Sequence, residues 1–187
     1  IAKEDFTRVI RADPSREGML YAGTENGIYI SYDDGNSWSM FQKNLPIVPI
    51  TDLKIKENSL IVATQGRSIW ILDDLTVLHQ MQSKKDDVET ILYKPKQSYR
   101  TKGRGGESSL TAGTNLPNGV IVHYYLKKFD SKKDKVELQF KSNDGELIKT
   151  FSSEDKKNKL NIKEGGNSFV WDTRYEGAEK LEGMIFW

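Results

Sequence analysis

Short apolar runs, separated by turn-forming residues, set the pattern of the first half of this chain. They are rich in β-branched and aromatic residues and are bounded by Gly, Pro, Asn and Asp, which is typical of β-strands joined by tight turns. In the first unit of this pattern the predicted strands are Arg8–Ala12, Met19–Thr24, Gly27–Tyr32 and Ser37–Gln42. In the second unit they are Ile50–Lys56, Ser59–Thr64, Ser68–Leu72 and a weaker one at Val77–Met81. The pattern therefore predicts an all-β fold with little helix.

The two units repeat each other at an offset of 40 residues. Leu20–Thr24 resembles Leu60–Thr64, and the acidic pair at 33–34 falls on the pair at 73–74. A period near 40 residues, with several short strands in each unit, is typical of β-propeller blades. Two blades cannot close a ring of typically four to eight. The remaining blades are therefore expected on a longer polypeptide, of which this chain is a fragment.

The chain changes character after residue 82, and the sequence predicts three parts. Residues 1–82 are the last two blades. Residues 83–118 are a linker or long loop that contains a candidate short strand at Thr90–Tyr93 and the Gly- and Ser-rich stretch Gly103–Ser109. Residues 119–187 carry further β-rich runs and hairpin turns. The runs are Gly119–Phe129, Val136–Lys141, Glu146–Phe151, Leu160–Ile162 and Ser168–Asp172, with turns at Ser142–Gly145 and Gly165–Asn167. This spacing predicts a β-sandwich, with Phe169 and Trp171 on its inner face.

One turn combines several residues whose chemistry suits a tight hairpin. It reads Ser31-x-Asp33-x-Gly35-x-Ser37-Trp38. The Asp33 carboxylate can accept hydrogen bonds from backbone N–H groups of its own turn, and Gly35 can adopt a positive φ. Ser37 can tie the turn to the next strand, and Trp38 can cover it with a large apolar face. These five residues are therefore predicted to have a structural role.

This turn and three later segments together resemble one group of proteins. The segments are Ser31–Trp38, Gly66–Leu75, Leu116–Gly119 and Gly166–Tyr175. They are similar to large bacterial exported proteins with sortilin-like, neuraminidase-type (Asp-box) propeller repeats, which are often labelled glycosyl hydrolases. The resemblance implies propeller blades followed by an immunoglobulin-like sandwich, truncated here, in a periplasmic, cell-surface or secreted protein. The hydrolase label follows the propeller and does not identify a catalytic pair.

Composition excludes several classes of function. The net charge of +1 gives no global field to recruit nucleic acid. The chain has no cysteine, which excludes disulfides and thiolate zinc sites. No run approaches the roughly 18 apolar residues of a membrane span. His79 and His123 are the two histidines, so a zinc site with several His ligands is excluded and a Ser-His-Asp triad would need one of them.

Hydrolytic chemistry or calcium binding in this chain would depend on its acids and tyrosines. Adjacent acids occur at 33–34, 73–74 and 86–87, but neighbours on a strand point to opposite faces and rarely share a site. No motif joins a tyrosine to an arginine cluster, and an EF-hand beginning at Asp33 would need Glu where Asn44 stands. The sequence therefore indicates no catalytic, cofactor-binding or metal-binding residue.

Two hypotheses of function follow. In the first, the chain is a non-catalytic part of a large exported propeller protein, with a role in binding or assembly. In the second, it is an accessory part of a sialidase-like glycoside hydrolase whose active site lies on other blades. The expected partners are the remaining blades, and other proteins or carbohydrate are the alternatives; nucleic acid is not expected.

Overall fold

The computed structural model describes residues 1, 4–81, 88–99 and 116–176. The chain divides into two compact units, Ile1–Asp87 and Val88–Trp187. Strands account for 41% of the structure and helix for 3%, so the chain is all-β as the hydrophobic pattern predicts. The stretch Gly103–Ser109, the acids at 86–87 and the end of the chain at Trp187 lie outside the described residues.

The first unit begins with a four-stranded antiparallel sheet. Its strands follow one another in chain order, which short turns between neighbours favour. They are β1 (Thr7–Ala12), β2 (Leu20–Thr24), β3 (Ile28–Ser31) and β4 (Ser39–Met40). A second sheet repeats this meander with β5 (Ile50–Lys56), β6 (Ser59–Thr64) and β7 (Ile69–Leu72).

The two sheets of the first unit share one apolar core. Tyr21, Ile28 and Ile30 of the first sheet and Leu53 and Leu60 of the second sheet all belong to it. Strand β5 lies against β1 and β2. Alternation places every second side chain of each strand on the inner face, and burial of these side chains holds the two repeats together.

The prediction of a strand at Val77–Met81 is wrong, because the chain forms helix α1 there (Thr76–Gln80). The Asp74 carboxylate accepts a hydrogen bond from the Thr76 N–H group (2.9 Å), which satisfies one of the first amides of the helix. Leu75 and Leu78 are both buried, and their spacing of three residues fits one face of a helix. No helix in the described parts of the chain has the length and apolar character needed to cross a bilayer.

The second unit contains two antiparallel sheets. Strands β8 (Thr90–Leu92), β9 (Val120–Leu126) and β12 (Gly165–Trp171) form one sheet in the order β12-β9-β8, and β10 (Glu137–Lys141) pairs with β11 (Leu147–Ser152) in the other. Side chains from both sheets meet in a core that contains Tyr124, Phe151 and Trp171. The rings of Phe140 and Trp171 lie 4.2 Å apart, and those of Phe151 and Phe169 lie 4.5 Å apart. The predicted inner positions of Phe169 and Trp171 are therefore confirmed.

Three details of the second unit differ from the sequence prediction. Strand β8 is the short strand expected at Thr90–Tyr93, but it pairs with β9, so this part of residues 83–118 belongs to a sheet and not to a linker. Gly165–Asn167 begins strand β12 rather than forming a turn. The turn lies just before it, where the Asn167 side chain bonds the backbone N–H and C=O of Lys163. Leu160–Ile162 is not a strand, although Leu160 is buried in the core.

Candidate functional site

The turn at Ser31–Trp38 is organised by the Asp33 carboxylate. Its Oδ1 accepts hydrogen bonds from the Ser31 hydroxyl and the Ser37 N–H group, both at 2.8 Å. Its Oδ2 accepts one from the Ser37 hydroxyl at 2.6 Å. The Ser31 oxygen in turn accepts bonds from the N–H groups of Asp33 (3.3 Å) and Gly35 (2.9 Å). One backbone N–H group and two hydroxyls thus bond the carboxylate, and both of its oxygens are used within the turn.

Backbone conformation explains the glycine in this turn. Gly35 has φ +86° and Asp34 has φ +56°, and two successive left-handed residues favour Gly and Asp. A Cβ atom on Gly35 would lie 3.5 Å from the Trp38 ring and from Leu20. The indole therefore lies against the turn, as the sequence predicts.

Hydrogen bonds lower the pKa of Asp33 below its ordinary value of 3.8. The Ser37 hydroxyl contributes most, followed by the Ser37 backbone N–H and the Ser31 hydroxyl. All three favour the carboxylate over the carboxylic acid. A general acid must instead hold its proton near neutral pH, so Asp33 suits a turn and not acid catalysis.

The second acidic pair has a different local role. The Asp74 carboxylate accepts bonds from Thr76 N–H and from the Asn58 side chain (3.0 Å). The Asp73 backbone carbonyl accepts a bond from the Ser59 hydroxyl. Asp74 thus joins the start of helix α1 to the β5–β6 turn. Helix α1 follows β7 at the position where the Asp33 turn follows β3 in the first repeat.

A buried cluster around Asp13 was not predicted. The Asp13 side chain is fully buried, and its Oδ1 accepts bonds from the N–H groups of Ser15 (2.8 Å) and Arg16 (3.2 Å). Its Oδ2 accepts a bond from the Tyr21 hydroxyl (3.1 Å) and lies 2.8 Å from Nε2 of His79. The sequence signal for this cluster is weak, because Asp13-Pro14 resembles an ordinary turn and His79 is 66 residues away.

The chemistry of this cluster is that of a structural junction. Burial, followed by the charge of Asp13, raises the pKa of Tyr21 above its ordinary range. The phenol therefore remains a neutral donor and not a tyrosinate nucleophile. The Arg16 guanidinium stacks 4.7 Å above the Tyr32 ring and donates to the Leu78 carbonyl in helix α1. The contacts of Asp13 with His79 and of Arg16 with Leu78 connect helix α1 to the first sheet.

Trp70, Trp171 and His123 occupy structural positions, and Trp187 lies outside the described residues. Trp70 packs against the core of the first unit and donates to the Arg67 carbonyl, and Trp171 is buried in the core of the second. His123 lies in the middle of β9, opposite Ser168. Within residues 4–81, 88–99 and 116–176, no group of three or more His, Cys, Asp or Glu side chains is placed to hold a metal ion.

A groove of about 450 Å³ in the second unit has charges of both signs on its rim. Lys135 bonds Glu137 (2.9 Å) and lies 3.7 Å from Glu154, and the first of these contacts raises the pKa of Lys135. Asp134 accepts the Asp130 N–H group. Lys135 is thus paired with acids, and Asp134 is used as an acceptor within its own turn.

Comparison with known protein families, with curated proteins and with solved structures finds no match for this chain.

Proposed function

We propose that this chain is a non-catalytic part of a larger propeller protein, in which the first unit supplies two Asp-box blades and the second unit an immunoglobulin-like accessory sandwich. Its role is binding or assembly, in a protein exported from a bacterial cell. The observation that carries the proposal is the packing of two successive antiparallel meanders, 40 residues apart in sequence, through one apolar core. This is how adjacent blades pack in a propeller.

The site chemistry favours a scaffold over an enzyme. Glycoside hydrolysis uses two carboxylates flanking the scissile bond, one of which holds a proton. Asp13, Asp33 and Asp74 instead each accept several hydrogen bonds from their own turns and neighbours. Tyr21 is a protonated donor to Asp13. These acids therefore stabilise turns and the junction with helix α1.

The test is an activity measurement on the purified 187-residue chain. We expect no turnover of an aryl glycoside or a sialoside above a protein-free blank, at any pH at which the chain is folded. Asp13→Asn and Asp34→Ala provide matched acid variants, one in the buried cluster and one at an exposed turn position.

Turnover that is present in the unmodified chain and lost in Asp13→Asn, with the fold retained by circular dichroism, would contradict the proposal. It would support the alternative of a sialidase-like hydrolase. A glycan array probed with the same chain separates the two remaining roles, because bound sugar indicates carbohydrate binding and a blank array favours assembly.

A further inference from the structure

The second sheet has an outer face that is apolar and exposed. Strand pairing places Ile61 opposite Ile71, and Ala63 opposite Ile69, on the side away from the shared core. Ile69 and Ile71 are 67% and 57% exposed. Strand β5 adds Lys54 beside Ile61 on the same side. We call these five residues the outer face.

The same positions in the first sheet are buried. When the two sheets are aligned by their strand pairs, Tyr21, Gly23, Ile28 and Ile30 correspond to Ile61, Ala63, Ile69 and Ile71 in that order. All four of the first-sheet residues are buried, and the three with large side chains belong to the core that the first sheet shares with the second. The outer face therefore repeats the surface by which one sheet already packs against the next.

A positively charged position of the first sheet is also repeated in the second sheet. In the first sheet Arg11 lies opposite Tyr21, and it reaches across to the second sheet, where it donates to Asp52 (2.7 Å) and to the Leu53 carbonyl (3.1 Å). In the second sheet Lys54 lies opposite Ile61 and takes the place of Arg11. Lys54 is exposed, so the outer face presents an ammonium group where the first sheet uses a guanidinium to bind a carboxylate.

We propose that the outer face docks a further antiparallel sheet of the same repeat, which is supplied by the same polypeptide outside these 187 residues. The inference rests on the proposed function and names the partner of one surface. The docked sheet carries apolar side chains toward Ile69 and Ile71, and a carboxylate within reach of Lys54, as Asp52 is within reach of Arg11. The contact continues the interface that already joins the two sheets.

A second copy of this chain fits the outer face less well. In the first sheet the position that corresponds to Asp52 is Val9, since Val9 pairs with Gly23 as Asp52 pairs with Ala63. A first sheet docked from another copy would therefore offer no carboxylate to Lys54. Two outer faces packed together would bring two Lys54 ammonium groups to one interface, which is unfavourable. The Asp52 carboxylate lies on the same side of β5, but it is already bonded by Arg11.

The chain has no cysteine, so single thiols can report on this face. Ile71→Cys places a thiol on the outer face, and Ile47→Cys, at a loop position that is 77% exposed, is the matched control. The rate of reaction with a disulfide reagent is measured in the 187-residue chain and in the polypeptide extended into its natural flanking sequence. We expect the two thiols to react at similar rates in the short chain.

In the extended polypeptide we expect the Ile71→Cys thiol to react roughly 100-fold more slowly, because it reacts only when the interface opens, while Ile47→Cys is unchanged. Adding Lys54→Glu should raise that rate about tenfold by replacing attraction with repulsion. Lys54→Arg, which keeps the positive charge, is the control and should leave the slow rate unchanged. A photo-crosslinker at position 71 should join the outer face to a β-rich repeat of the same polypeptide.

An unprotected thiol in the extended polypeptide would overturn the proposal, and so would a thiol already shielded in the short chain. A crosslink to a second copy, to another protein or to residues 88–187 would also overturn it. These outcomes are independent of the activity assay. Turnover of a glycoside would refute the proposed function and leave the thiol rates as they are.

Discussion

Replacing Asp13 by Ala tests whether the buried cluster holds the first unit together. The carboxylate accepts hydrogen bonds from the N–H groups of Ser15 and Arg16 and from the Tyr21 hydroxyl, and it lies against His79. Alanine removes the acceptor and leaves each of these donors in place. The fully buried Tyr21 hydroxyl then has to remain unpaired or find another partner.

The magnitude follows from the number of donors left behind. A buried donor without a partner costs about 1–3 kcal/mol, and the Tyr21 hydroxyl is such a donor. The N–H groups of Ser15 and Arg16 lie in a partly buried turn, where water can replace the carboxylate, so they add about 0.5 kcal/mol each. We therefore expect Asp13→Ala to lower the free energy of unfolding of the first unit by about 2–4 kcal/mol.

A double-mutant cycle separates the contribution of the Tyr21 hydroxyl to stability from that of the other donors to Asp13. Tyr21→Phe alone should cost about 1 kcal/mol, because it removes one bond and leaves Asp13 with its other donors. In the Asp13→Ala, Tyr21→Phe protein the unpaired hydroxyl is absent, so the double change should cost about 1 kcal/mol less than the sum of the two.

The assay is equilibrium urea unfolding followed by tryptophan fluorescence. Trp38 and Trp70 lie in the first unit, so a background with Trp171→Phe and Trp187→Phe reports on that unit alone. Glu17→Ala, at an exposed acid of the loop that also contains Asp13, is the control and should change stability little. A loss below about 1 kcal/mol for Asp13→Ala, or additive costs in the cycle, would show that the Asp13 carboxylate does not stabilise the first unit in this way.

Three further predictions concern other parts of the chain. Trp171→Ala should cost the second unit about 3–5 kcal/mol by opening a cavity, and hydrogen exchange confined to that unit should measure it; an unchanged exchange rate would place the indole outside the core. Gly23→Ala should cost about 1–3 kcal/mol, because its Cβ would come 2.6 Å from Ile50; unchanged thermal unfolding would argue against this close packing. Asp33 has a lowered pKa, so its contribution to stability is present above the ordinary value near 4 and is lost as the pH falls through the folded-state pKa. Asp33→Ala should therefore lower the melting temperature at neutral pH and have less effect near pH 3, and an equal effect at both pH values would be inconsistent with an ionised turn acceptor.

Much of this fold is local, and the sequence by itself determines that part. Alternation of apolar and polar residues places β5 and β6 at the predicted residues. The turn around Asp33 is also determined largely locally, because the groups that bond the Asp33 carboxylate lie between Ser31 and Ser37; the Asp34 N–H group alone reaches outside it, to the Gly18 carbonyl. A carboxylate, a hydroxyl and a glycine within seven residues can form this turn whatever packs around it.

Other features depend on contacts that are distant in sequence, and only the tertiary structure decides them. The run at Thr76–Gln80 can alternate as a strand or wind as a helix, and the burial of Leu75 and Leu78 selects the helix. Asp13 becomes the centre of a cluster because folding brings His79, 66 residues away, within 2.8 Å. The short run that forms strand β8 is visible in its own residues, but its pairing with β9 is not. A short segment carries its turn chemistry in its own residues, whereas its packing partners depend on the path of the whole chain.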